Sequence, residues 1–94
     1  MANGSGAART NENSNLLIKW TNADGFSLSE QSKTHNISEN GISFYLKRPV
    51  WLDTHLIITI GSSELFGRLH TLTGKVARIQ TDASGRQLVG VRFD

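Results

Sequence analysis

Three observations predict an all-β fold for this 94-residue chain, a single six-stranded antiparallel barrel with a flexible N-terminal arm. Apolar and polar residues alternate over short runs, clusters of Gly, Asn, Asp, Ser or Pro interrupt those runs, and no long stretch repeats apolar residues at helical spacing. A sheet of this size left open would present unpaired edges to other chains, so closure into a barrel is the expected way of removing them. The chain has no cysteine, which leaves apolar burial to stabilise one small core.

Residues 1–15 carry Gly, Ser, Asn, Ala and Thr and, after Met1, no large apolar side chain, so nothing offsets the entropy of ordering them. They are expected to form a mobile arm, with the folded domain at residues 16–94. The first strand is expected from Leu16 to Thr21, with Leu16, Ile18 and Trp20 on one face, followed by a turn at Asn22-Ala23-Asp24-Gly25. Phe26 to Ile37 supplies the hairpin partner, and its polar middle suggests an exposed or edge strand. Ile42, Phe44 and Leu46 alternate with Ser43, Tyr45 and Lys47, the clearest period-two pattern in the chain. Pro49 lacks a ladder donor and closes that strand, leaving Val50 to Asp53 as a loop. Leu56 to Ile60 reads as the next strand and Gly61-Ser62-Ser63 as a break. Leu69 to Gln80 is a long or bulged strand, Asp82-Ala83-Ser84-Gly85 a hairpin turn, and Val89, Val91 and Phe93 complete the sheet.

Asn36-Ile37-Ser38-Glu39-Asn40-Gly41 is the stretch best suited to a ligand site. An asparagine amide presents a donor and an acceptor to a planar edge, a serine hydroxyl serves as either, and glycine admits close backbone approach. That set suits a nucleobase and a phosphate. The same residue types also build a tight connection, because Asn and Ser bond to nearby backbone.

Other function classes fit less well. Net charge is +2, with ten Lys/Arg spread against eight Asp/Glu, so no basic block marks a duplex-binding surface and neither DNA nor RNA is expected as a partner. Apolar runs are too short to span a membrane and no secretion signal is visible, so a cytoplasmic location is the expectation. His35, His55 and His70 are dispersed without cysteine or a carboxylate cluster, so neither a metal site nor catalysis is expected. Tyr45 and Trp51 offer a ring for stacking, but core or barrel cover is the expectation for both.

The order of these features resembles the PilZ domain family, a small bacterial β-barrel module that binds cyclic di-GMP. The family pattern is a pair of arginines separated by three residues, then a hairpin, then Asp or Asn, any residue, Ser, two residues and Gly. Asn36, Ser38 and Gly41 match the second motif. Gly74-Lys75-Val76-Ala77-Arg78 and Val89-Gly90-Val91-Arg92-Phe93 are similar to the stretches that precede and close the last hairpin. In the first motif Arg9 fits the first arginine, but Asn13 stands at the second. Asp53 occupies a loop position where relatives often carry glycine.

The resemblance implies a receptor or adaptor rather than an enzyme, with Arg9, Asn36, Ser38 and Gly41 at the cyclic di-GMP site and an unidentified protein partner. Arg9 would reach the ligand from the arm. Loss of the second arginine implies weakened binding, by roughly one to two decades if one paired contact of about 1–3 kcal/mol is missing. Arg78, Arg86 and Arg92 are the candidates to replace it. A degenerate module that contacts proteins without nucleotide is the alternative.

Overall fold

The computed structural model describes residues 14–61 and 69–94. Arg9, Asn13 and the rest of residues 1–13 lie outside the described residues, as do Ser62 and Ser63 of the expected break. The strands are β1 (Asn15–Thr21), β2 (Ser27–Ile37), β3 (Gly41–Leu46), β4 (His55–Gly61), β5 (Leu69–Thr81) and β6 (Gln87–Phe93). Every neighbouring pair is antiparallel, and the order β1-β2-β3-β6-β5-β4 closes on itself. No helix among the described residues is long and apolar enough to cross a membrane.

Alternation builds the core as expected. Leu16, Ile18 and Trp20 of β1, Ile42, Phe44 and Leu46 of β3, Leu56 and Ile58 of β4, Val76 of β5 and Val89 and Val91 of β6 are all buried. Val50 joins them from the β3–β4 crossover, a core residue missed because a proline-flanked loop carries no alternation to read. Trp51 reverses the expectation of core or cover: it is 66 % exposed. The turn that follows Val50 directs Trp51 away from the space that Val50 fills.

β2 is exposed but not an edge, because closure pairs it with β1 on one side and β3 on the other. Its polar middle fastens the crossover instead. The Glu30 carboxylate accepts the backbone N–H groups of Lys47 (2.6 Å) and Arg48 (3.0 Å), and the Ser32 hydroxyl donates to the Tyr45 carbonyl at 2.6 Å. Phe26 belongs to the preceding turn rather than the strand and is 67 % exposed.

The two hairpin turns share one design. Asn22 Oδ1 accepts the N–H groups of Asp24 and Phe26, Asp82 Oδ1 accepts those of Ser84 and Arg86, and Gly25 and Gly85 take φ of 86° and 92°. Only glycine adopts that left-handed region without steric cost. Among the described residues Asp53 is the one non-glycine residue there, with φ 69°, at the loop position noted for glycine in relatives. Its N–H donates to the Val76 carbonyl at 2.8 Å, which fixes the turn against β5. Aspartate tolerates this conformation better than branched residues do. Asp53→Gly should therefore change unfolding free energy by less than about 0.5 kcal/mol, whereas Asp53→Val should cost about 1–2 kcal/mol in urea denaturation.

Two carboxylates tie strand ends together. Hydrogen bonds from Ser84, foremost, and from Arg86 hold the Asp82 carboxyl below its ordinary range; the Thr73 hydroxyl, foremost, and His55 do the same for Asp94. Thr73 Oγ1 donates to Asp94 Oδ2 at 2.7 Å, and His55 Nε2 lies 2.8 Å from the same oxygen. A carboxyl whose folded pKa is depressed contributes stability above its unfolded pKa and loses it as pH falls through the folded value. The melting temperature should therefore fall as pH drops below about 4, and Asp82→Asn with Asp94→Asn should flatten that fall.

Candidate functional site

Strict alternation from buried Thr34 would aim Asn36 into the core. The register prevents it: Thr34 pairs with Phe44 and Asn36 with Ser43, so His35 is an extra residue in a β-bulge and the phase reverses. His35 and Asn36 are both exposed, and Ile37 returns to pack on the core. β5 repeats the device. Val76 pairs with Val91 and Arg78 with Gly90, which makes Ala77 the extra residue and turns Arg78 outward.

The bulges flank β3 and β6 and bring four residues into one row across four strands. Asn36 of β2 is opposite Ser43 of β3, Ser43 is opposite Gly90 of β6, and Gly90 is opposite Arg78 of β5. Gly90 leaves a gap in this row that Arg78 fills. A Cβ built on Gly90 would lie 3.4 Å from Arg78 Cβ and 3.5 Å from its Nε, so the side chain runs across bare backbone. The row forms the floor of an open cleft of about 370 Å³, lined also by Ser38, Asn40, Gly41 and Arg92.

Three of the expected site residues thus meet at one cleft, and Arg9 lies outside the described residues. Their roles differ. Among the described residues the Asn36 amide has no hydrogen-bond partner, which leaves both its donor and its acceptor available. Ser38 is partly used locally: its N–H donates to the Gly41 carbonyl at 2.9 Å and its Oγ accepts from Asn40 N–H at 3.2 Å. Gly41 is fixed by packing, since an added Cβ would sit 2.2 Å from the Val91 carbonyl oxygen.

Of the three replacement arginines, Arg78 and Arg92 line the cleft and Arg86 does not. Arg86 is engaged elsewhere, with its Cζ 4.4 Å from the Tyr45 ring centroid and its Nη2 3.1 Å from Asp82. His35 also meets Tyr45, edge-on at 5.5 Å between ring centroids. A ring occupied in this way does not offer the open stacking platform that single-stranded nucleic acid requires. No carboxylate lines the cleft among the described residues, so Arg78 and Arg92 leave it positively charged. Ser43 and Gly90 were missed as partners of Asn36, and Arg78 was not separated from Arg86 and Arg92, because their juxtaposition depends on strand order, although the broken alternation in Val76-Ala77-Arg78-Ile79 was a visible signal.

Comparison with known proteins agrees with this architecture. The solved structure of Bacillus subtilis inhibitor of motility, MotI/DgrA, superposes with a TM-score of 0.73 at 19 % identity, over 90 % of this chain and 40 % of that one. The likeness is one of fold, and the chain spans well under half the length of that protein. No curated protein matches. The family model for the PilZ domain matches residues 9–94. With the second motif lining the cleft of a closed six-stranded barrel, the chain belongs to the PilZ domain family.

Proposed function

We propose that this domain is a cyclic di-GMP receptor whose barrel contributes a preformed half-site and whose arm supplies the rest. The observation that carries the reading is the in-register row Asn36, Ser43, Gly90 and Arg78 at the floor of a cationic cleft. Each part has a chemical task. The Asn36 amide pairs with a guanine edge, the Ser38 hydroxyl bonds a base or phosphate oxygen, and Gly41 keeps β3 and β6 close enough to form the floor. Arg78 and Arg92 present planar, multidentate donors to phosphate or to guanine acceptors, which asparagine at position 13 cannot do. Arg9 closes over the ligand from the arm.

Output follows from ordering rather than turnover. A ligand bridging the cleft and the arm favours a conformation in which the arm is held against the barrel, and that altered surface is what a protein partner reads. Asn13 at the second arginine position supports the second reading, a degenerate module that contacts proteins without nucleotide. Isothermal calorimetry with cyclic di-GMP, cyclic di-AMP and GTP separates the two. The receptor reading expects saturable binding of cyclic di-GMP alone, weakened by Arg9→Ala. Absence of heat and of any competition at high micromolar concentration would leave the interaction module.

A further inference from the structure

We infer that the groove beside Trp51 is a docking surface for an acidic segment of a partner protein that inserts a large apolar side chain. The groove, of about 800 Å³, shares no lining residue with the nucleotide cleft. Trp20, Leu28, Pro49, Trp51 and Ile57 give it an apolar lining. Trp51 is 66 % and Ile57 43 % exposed, so substantial apolar area faces water that a partner would displace.

The turn that carries Trp51 is held unusually firmly for a segment that displays an indole to solvent. Trp51 N–H donates to Thr54 Oγ1 at 3.4 Å and Thr54 N–H to the Trp51 carbonyl at 3.2 Å. Asp53 N–H donates to the Val76 carbonyl at 2.8 Å and Val76 N–H to the Thr54 carbonyl at 2.9 Å, Val50 N–H reaches Gln87 Oε1 at 3.0 Å, and Glu30 clamps the backbone of Lys47 and Arg48. The turn is thereby fastened to β2, β5 and β6. An exposed aromatic on a prearranged backbone loses little entropy on contact, which is the property of a binding hot spot.

Charge selects the occupant. Among the described residues Lys19 and Arg48 line the groove and form no ion pair, and Asp24 is the one carboxylate lining it. His55 at the rim is engaged by Asp94. A segment bearing carboxylates beside an apolar anchor satisfies both features, whereas a second copy would set the same cations against each other. The arm is a poor occupant, since Met1 is the only large apolar side chain in residues 1–13.

The test uses NMR titration of the isotope-labelled full chain with three synthetic peptides and a single-stranded oligonucleotide. One peptide combines glutamate with leucine and phenylalanine, the second replaces glutamate by lysine, and the third replaces the apolar residues by serine. The expected result is saturable movement of the Trp51 indole and Ile57 methyl signals with the first peptide alone. Trp51→Ala should weaken it about tenfold or more, as should Lys19→Glu with Arg48→Glu, while Asn36→Ala leaves it unchanged. No response to the first peptide at millimolar concentration, equal response to the lysine peptide, or preference for the oligonucleotide would overturn the proposal. A sedimentation experiment showing that a second copy already covers Trp51 would do the same. Because no probe is cyclic di-GMP and the groove shares no lining residue with the cleft, failure here is separate from failure of the receptor reading.

Discussion

Asn36→Ala and Arg78→Ala are each expected to lower the affinity for cyclic di-GMP, under the receptor proposal, by roughly one to two decades in a calorimetric titration, with little change in melting temperature. The magnitude follows from losing one paired contact of about 1–3 kcal/mol. Stability is spared because both side chains are exposed on the outer wall, and truncating them leaves no cavity. Arg86→Ala serves as the control. It lies in the β5–β6 connection and packs on Tyr45 and Asp82 outside the cleft, so affinity should be unchanged. Equal affinities for wild type, Asn36→Ala and Arg78→Ala would remove the row from the binding account.

Gly41→Ala is expected to act through the fold rather than through contact. A methyl group 2.2 Å from the Val91 carbonyl oxygen cannot be accommodated by a side-chain rotation, because the obstacle is backbone. β3 and β6 must separate, at a cost of about 1–3 kcal/mol seen as a lower urea midpoint. Gly90→Ala provides the contrast. Its new methyl would meet the Arg78 side chain at 3.4 Å and beyond, ordinary contact distances, so the fold should survive with Arg78 still on the cleft floor. Loss of affinity in Gly41→Ala without loss of stability would make Gly41 a direct contact instead.

Much of the barrel was readable from alternation, because inward and outward residues of β1 and β3 keep strict period two. Prediction weakened where side chains answer to tertiary partners. Glu30 and Ser32 look like an exposed edge until the crossover they hold is visible. Val50 and Trp51 are adjacent apolar residues with opposite fates, decided by a turn whose left-handed Asp53 no propensity would have placed. The second motif was legible as residues, but its geometry was not. Asn36 faces outward only because His35 bulges, and Arg78 joins it only because β6 lies between β3 and β5. Chain order separates these two residues widely, so their meeting is a consequence of closure.

If the outer wall spanning β2, β3, β6 and β5 is the ligand face, amide chemical-shift mapping with cyclic di-GMP will locate the ligand there. Saturable shifts are expected in Asn36 to Ser43, in Arg78 and in Gly90 to Arg92, with the amides around Trp51 and Ile57 unmoved. Shifts centred on the Trp51 groove, or none on the wall at saturating ligand, would contradict that placement.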